Sequence, residues 1–267
     1  LSSTGGYADS HFAPHIQNPS MGVIINGADE ARKAARTNFK YGADHLKICA
    51  TGGVVSFGDE LGAMELTFEE MKATLDIANA KGKPSSTHAH GAKVIKVAIC
   101  AGITSIEYGM FIDEEAMWMM KEHHVYLIPT IIVAYRIIEE EQKGALPLWM
   151  VEKAQECLEQ HGKNLKRMLE IGVQIGFGTD AGCPFDHHGE QASEFKLMTK
   201  YGFSPVQALL SETQVNAKLL KQHDVLGTIE PGKFADVIDF DDNPLEDIRV
   251  MTKCTFVMKD DIVYKCE

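Results

Sequence analysis

ADEARKAARTNFKYGADHLKICATGG, residues 28–53, changes its hydrophobic period partway along. Residues 28–41 carry alanines and charges at helical spacing, and Gly42 stops the run. HLKICA then predicts a short strand around Leu46, Ile48 and Cys49, which ends in the Thr51-Gly52-Gly53 turn. The same order recurs downstream. Thr67-Phe68-Glu69-Glu70 has the spacing of a capping box and opens a helix running to about Ala80, closed by Gly82. Residues 84–88 read as a strand, 92–101 as a helix followed by Gly102, 104–108 as a strand, 114–122 as a helix and 125–129 as a strand. A long amphipathic helix covers 150–171. Residues 173–179 read as a strand, with Gly178-Thr179-Asp180 at its C-terminal end. Helices follow over 190–201, 205–211 and 215–221. The tail differs, because ADVIDF, CTFVMK and DIVYK are β-like runs with no helix between the last two.

Strands that alternate with helices of this length indicate βαβ units and a parallel sheet, hence an α/β fold. Five such strands precede the tail. The rhythm fits a (β/α)8 barrel, in which chemistry sits at the strand C-termini. A doubly wound sheet is the competing architecture, but no G-x-G-x-x-G follows a strand, so dinucleotide binding has no support.

The chain has 267 residues, with 26 Lys+Arg against 38 Asp+Glu, a formal net charge of −12. That balance argues against nucleic acid as a partner, because a phosphate backbone needs clustered cations. No stretch has the length and apolarity of a membrane span. LSSTGGYADS has neither a basic n-region nor an apolar h-region, so it does not read as a signal peptide. The six cysteines are scattered with no C-x-x-C pair. They read as reduced and mostly buried thiols of a cytoplasmic protein.

Polar residues mark the strand ends: Lys47 on the first, His88-Ala89-His90 on the second, Glu107-Tyr108 on the third and Asp180 on the fifth. Carboxylate and imidazole donors converging from separate strands suit zinc and similar ions. Strand alternation puts His88 and His90 on one face. Lys47 inside the apolar run LKICA is costly to bury unless it is paired or chemically altered; alternatively it snorkels to solvent. Asp180 could instead cap a helix.

HLKICATGG, STHAHG, SIEYG, FGTDAG and GTIEPGKFADVI…NPLEDI, taken in this order, resemble the metal-dependent amidohydrolase superfamily. The resembling branch holds imidazolonepropionase-like enzymes, with prolidase- and carboxypeptidase-type peptide hydrolases and an ochratoxin-hydrolysing amidase. The resemblance spans essentially the whole chain. It implies a (β/α)8 barrel with one or two zinc ions. Carried over by position, the ligands are a carboxylated Lys47, His88 and Asp180, with His90 facing the substrate. Carboxylation would turn the Lys47 cation into an anionic ligand. Asp180 would also take the proton of the attacking water. Two positions depart from the pattern. Where the resemblance expects Ser-x-Glu-His, the chain has Ser105-Ile106-Glu107-Tyr108. Where it expects Thr-Gly-Gly-His, the chain has Thr4-Gly5-Gly6-Tyr7. There is also no H-x-H on a first strand. LSSTGGYADS resembles the loop after the third barrel strand. The expected architecture is therefore an incomplete barrel, about strands 4–8, over 1–225, with the C-terminal part of a small β-sandwich over 226–267. Five strands cannot close an eight-stranded barrel, so a missing N-terminal part or a homo-oligomer is the expected complement.

Tyr135 and Arg136 follow the fourth strand and could reach a substrate carboxylate, or lie in a surface loop. His123-His124 and His187-His188 read as solvated polar surface, Glu139-Glu140-Glu141 as a solvated face, and Met117, Met119 and Met120 as core filler. The function implied by the resemblance is metal-assisted hydrolysis of amide or peptide C–N bonds in a small-molecule substrate of N-acyl amino acid or dipeptide type. The competing reading, drawn from Tyr108 and the missing H-x-H, is an inactive remnant acting as a binding or interaction module.

Overall fold

A computed structural model describes residues 1–9, 21–54, 60–141, 144, 146–183 and 185–267. The chain divides into two units, Leu1–Leu127 with Ile171–Val173 and Ile128–Glu170 with Gln174–Glu267.

The first unit is built on parallel strands. Two short ones, β1 (Ser2–Ser3) and β2 (Ile24–Ile25), pair with each other. They are followed by helix α1 (Ala28–Lys40), β3 (Leu46–Cys49), α2 (Phe68–Ala80), β4 (Ser85–Gly91), α3 (Ala92–Ala101), β5 (Ser105–Phe111), α4 (Glu114–Glu122) and β6 (Tyr126–Ile128). The sheet order is β3-β4-β5-β6, and β4 runs parallel to both β3 and β5. Strands covered on both faces carry near-continuous burial, and β4 is buried from Ser85 to His90. Leu46, Ile48, Leu66, Met71, Leu75, Ile95, Ile106 and Leu127 fill the core around this sheet. Ala35, Leu46 and Ala78 join α1, β3 and α2, with Phe39 and Ile77 packed against them. Met117 and Met120 are buried as expected, and Met119 is half-buried.

One carboxylate organises the start of this unit. Thr67 caps α2 in a full capping box with Glu70. Glu70 also accepts the Gly27 N–H at 2.7 Å, at the N-cap of α1, besides the Thr67 N–H at 2.8 Å. Burial works to raise its carboxyl, but the bonds from Gly27 and Thr67 outweigh it and hold the group below the usual range.

The second unit contains α5 (Ile131–Glu141), α6 (Leu148–Ile171), α7 (Ser193–Lys200) and α8 (Pro205–Leu210). A π-helical turn (Ser211–Val215) leads into α9 (Asn216–Leu219). Then come β7 (Val237–Asp239), a 3-10 turn (Ile248–Thr252), β8 (Phe256–Lys259) and β9 (Ile262–Cys266). The last three strands form an antiparallel sheet in sequence order. No helix among the described residues is long and apolar enough to cross a membrane.

Several expectations need correction. Residues 173–179 form no strand among the described residues. The Asn216 side chain takes both backbone groups of Phe177, accepting its N–H at 3.1 Å and donating to its C=O at 2.9 Å, so a side-chain amide stands in for a ladder. Tyr135 and Arg136 lie in helix α5, not a surface loop. The Ile131–Ile138 run is rich in β-branched residues and gives no helix signal of its own. Its first amides are instead satisfied from a distance, by both carboxylate oxygens of Glu194 at 2.9 and 2.8 Å from the Ile131 and Ile132 nitrogens. The cysteines are free, but only Cys49 and Cys157 are buried; Cys183 and Cys254 are half-buried, and Cys100 and Cys266 are exposed.

Two stability predictions follow from these contacts. Replacing Glu70 with Ala leaves two backbone donors without their acceptor and should cost about 2–3 kcal/mol, against about 1 kcal/mol for Thr67→Ala. Urea midpoints of the two variants check the order. His161 in α6 is buried with Nε2 at 3.0 Å from the Pro129 carbonyl, and burial pulls its pKa from 6.5 down to about 4. The unfolded chain therefore binds the extra proton between those values. Stability is full above pH 6.5 and falls by up to about 3 kcal/mol as pH drops toward 4. His161→Gln should flatten that part of the pH–stability curve relative to wild type.

Candidate active site

In the first unit the expected residues gather where β3, β4 and β5 lie side by side. Register pairs Lys47 with Ser86, Cys49 with His88, His88 with Glu107 and Ala89 with Tyr108. β4 and β5 both run three residues past their expected ends. The ladder continues through a register shift between Ala89 and Gly91, so His90 lies within β4 and Tyr108 in the middle of β5 rather than at its end. At the shift a Cβ on Gly91 would stand 2.8 Å from Gly62 Cα, a close approach that only glycine allows.

His88 is at the centre of a cluster of rings. Tyr7 stacks on it at 4.3 Å between centroids and 16°. His90 meets it edge-on at 4.6 Å, and Tyr108 at 4.8 Å and 66°. His90 in turn stacks on Tyr108 at 5.4 Å. The two histidines share a face, as strand alternation requires, and both are buried. Lys47 Nζ lies 5.8 Å from the Tyr108 ring centroid. Tyr108 takes a left-handed φ of 71°, and Gly109 after it has φ 60°. A Cβ at Gly109 would come 2.7 Å from Leu127, so the kink depends on this glycine.

The state of His88 is set by its surroundings. Nε2 lies 3.0 Å from the Gly52 carbonyl, which can only accept, so this nitrogen carries the proton. Burial, reinforced by the Lys47 charge and opposed by the Gly52 bond, lowers its pKa to about 3, so the ring is neutral. Nδ1 therefore presents a bare lone pair, buried and without a hydrogen-bond partner among the described residues. A backbone carbonyl fixing one imidazole nitrogen while the other stays open is the arrangement that metal-binding histidines use. The donor chemistry at His88 thus fits a divalent ion. Among the described residues, however, no group of three His, Cys, Asp or Glu side chains forms a complete cage.

Asp180, Tyr135 and Arg136 belong to the second unit. Asp180 is exposed with φ 57°, and it caps no helix among the described residues. Its backbone carbonyl accepts the Cys183 N–H at 3.0 Å. Burial, the Asp180 and Asp186 charges and a hydrogen bond to Asp180 push the Cys183 thiol up to about 12. Arg136 Nη1 and Nη2 pair with Glu139 at 2.9 Å and Glu190 at 2.7 Å. Lys200 Nζ sits 5.1 Å from the centre of the Tyr135 ring.

Sequence reasoning missed Tyr7 as a partner of His88, and it missed Glu194 and Asp186 altogether. The Thr-Gly-Gly-Tyr motif was the available signal for Tyr7. Glu194 is 63 residues from the amide it caps, and no local pattern announces such a contact. Burial pushes its carboxyl up to about 8 against the pull of the two amide donors, with the Asp186 charge adding to the rise.

Known proteins align with this arrangement along nearly its full length. The ochratoxinase of Aspergillus niger is 31% identical over 269 residues, covering 94% of this chain and 55% of the relative. The chain thus spans about half the length of that curated relative. A crystal structure of a Xaa-Pro dipeptidase with bound methionine in the active site is 38% identical with a TM-score of 0.91, covering 99% of this chain and 66% of that one. The crystal structure of A. niger ochratoxinase superimposes with a TM-score of 0.85 at 29% identity, over 100% of this chain and 64% of that one. The profile of the amidohydrolase family matches residues 8–264. That match takes in His88, His90, Tyr108 and the Asp180 loop, and the chain belongs to the amidohydrolase family.

Proposed function

We propose that the protein hydrolyses amide or peptide C–N bonds in small substrates of N-acyl amino acid or dipeptide type, with a divalent metal, zinc by preference, as cofactor. The observation that carries this reading is the buried, neutral, open Nδ1 of His88, locked in its tautomer by Gly52. The likeness to an ochratoxinase and to a Xaa-Pro dipeptidase supports the bond type. In this reading residues 1–225 are the partial barrel and 226–267 the sandwich segment, and the protein is cytoplasmic.

Lys47, as its carboxylated form, with His88 and Asp180 would hold the metal. The chemistry that such an ion supplies when bound is a water of lowered pKa and a polarised scissile carbonyl. The remaining work falls to side chains of this chain. Asp180 takes up the proton that the attacking water releases and returns it to the leaving nitrogen. His90 orients the substrate. Arg136, with Tyr135 beside it, receives the substrate carboxylate through Nε, which is buried and has no hydrogen-bond partner among the described residues.

One observation favours a second reading. Tyr7 and Tyr108, which stand where the resemblance expects histidines, both pack on His88. A binding module with a filled-in metal pocket would look like this.

Metal content by elemental mass spectrometry after dialysis separates the two. Hydrolysis predicts about one or two zinc ions per chain, removed by a chelator together with amine release from dipeptides or N-acyl amino acids. His88→Ala should lower zinc stoichiometry and cut kcat/KM by at least about 100-fold. Tyr108→His should raise zinc stoichiometry. Folded protein with no zinc and no amine release would overturn the hydrolase reading in favour of the binding module.

A further inference from the structure

The turn after Asp180 buries a charge that the proposed reaction does not use. Asp186 is 1% exposed, and neither of its carboxylate oxygens has a hydrogen-bond partner among the described residues. The loop holds it by its backbone: Asp186 donates its N–H to the Cys183 carbonyl at 3.1 Å and accepts the Gly182 N–H at 2.9 Å. The side chain is left to face its neighbours. Asp180, Glu190, Arg136 and His187 are all within electrostatic reach of it, and Asp186 and Asp180 both act on the Cys183 thiol. Glu194 feels its charge as well.

Burial pushes the Asp186 carboxyl above its usual range, and the Arg136 charge offsets that only in part, so a bound cation would be needed to hold it fully ionised. The two terminal nitrogens of Arg136 are committed to Glu139 and Glu190. Only Nε remains open, buried and without a partner among the described residues. An unpaired carboxylate is expensive to keep buried, and the cost is relieved when a ligand supplies the missing cation. Both Asp186 carboxylate oxygens and the Arg136 Nε–H are thus buried without a hydrogen-bond partner among the described residues. A ligand that complements both carries an ammonium and a carboxylate.

We propose that Asp186 is a specificity-determining residue that binds the free α-ammonium of the substrate, so that the protein selects dipeptides with an unblocked amino terminus over N-acyl amino acids. This rests on the hydrolase reading above and resolves the substrate class it leaves open. In a dipeptide the ammonium sits on the carbon next to the scissile carbonyl. Asp186 is in the same turn as Asp180: the Cys183 N–H donates to the Asp180 carbonyl at 3.0 Å, and the Cys183 carbonyl accepts the Asp186 N–H at 3.1 Å, so the turn that would carry the reacting carboxylate also carries one that can read the ammonium. An acetyl group on that nitrogen removes the charge and two of its three donors, leaving Asp186 buried and unpaired.

Binding of Ala-Pro, N-acetyl-Ala-Pro and alanine amide to the purified protein, measured by titration calorimetry, tests this alongside hydrolysis of the first two. Ala-Pro should bind at least about 10-fold tighter than its acetylated form, as expected for a charge-assisted contact. Asp186→Asn should bring the ratio to within about 2-fold. The wild-type ratio needs no variant, so misfolding of Asp186→Asn leaves the test intact. Equal wild-type affinity for the free and acetylated ligands, or parallel losses for both in the variant, would overturn the assignment. Alanine amide carries the ammonium but is not a dipeptide. If it binds through Asp186 while neither peptide is cleaved, the subsite stands and the hydrolase reading fails. If alanine amide and both peptides fail to bind wild type, the subsite itself is overturned.

Discussion

The bond between His88 Nε2 and the Gly52 carbonyl sets the chemistry of the first unit. It spans 3.0 Å in a buried setting, and it joins β4 to the loop that follows β3. An imidazole has two nitrogens and, when neutral, one proton. Committing that proton to Gly52 decides what the other nitrogen can do. The same loop is tied to β4 a second time, where the His90 N–H donates to Thr51 Oγ1 at 3.2 Å. Both histidines are therefore oriented by backbone and side-chain groups of one turn. The glycines of that turn matter for space as well as conformation: a Cβ on Gly53 would sit 2.2 Å from Tyr7, the ring stacked on His88.

The first unit was legible in the sequence because its signals are local. Helices α1 to α4 fall within a residue or so of their expected bounds, since capping residues, glycine stops and apolar spacing all act within one or two turns. Thr67 and Glu70 announce α2 by themselves. What local reasoning could not show is that Glu70 also serves α1, 43 residues away. The second unit departs further because its structure is held by contacts distant in sequence. Glu194 starts α5, and Asn216 replaces a sheet partner at Phe177. Both use one side chain to satisfy two backbone groups, and neither has a spacing that a periodic pattern could reveal.

The candidate site shows the same division. Lys47, His88, His90 and Tyr108 come from neighbouring strands of one sheet, and register alone brings them together once the strands are placed. Asp180 and Asp186 depend on loop geometry, and Arg136 on helix α5, whose first amides are capped from a distance by Glu194. Asp180 and Phe185 both adopt left-handed backbone conformations, with φ of 57° and 70°, and Gly182 lies between them at 106°. Such turns cost roughly 1 kcal/mol or more for a non-glycine residue. They persist where the surrounding contacts over-determine them, and this loop holds one exposed carboxylate and one buried one six residues apart.

The two tyrosines beside His88 bear on what a metal pocket tolerates. A histidine brings a lone pair and a small ring; a tyrosine brings a larger ring whose oxygen is a poor donor until it loses its proton, near pH 10 in ordinary surroundings. Replacing donors with phenols removes affinity but keeps the cavity filled, so the strands keep their packing. The left-handed Tyr108 shows how the larger ring is accommodated: the strand kinks at Tyr108-Gly109, and the space beside Leu127 is open only because Gly109 has no Cβ. His88 keeps its tautomer through this change, because Gly52 and not a neighbouring ring fixes it. The tautomer that Gly52 fixes at His88 and the identity of the rings packed on it are therefore physically independent.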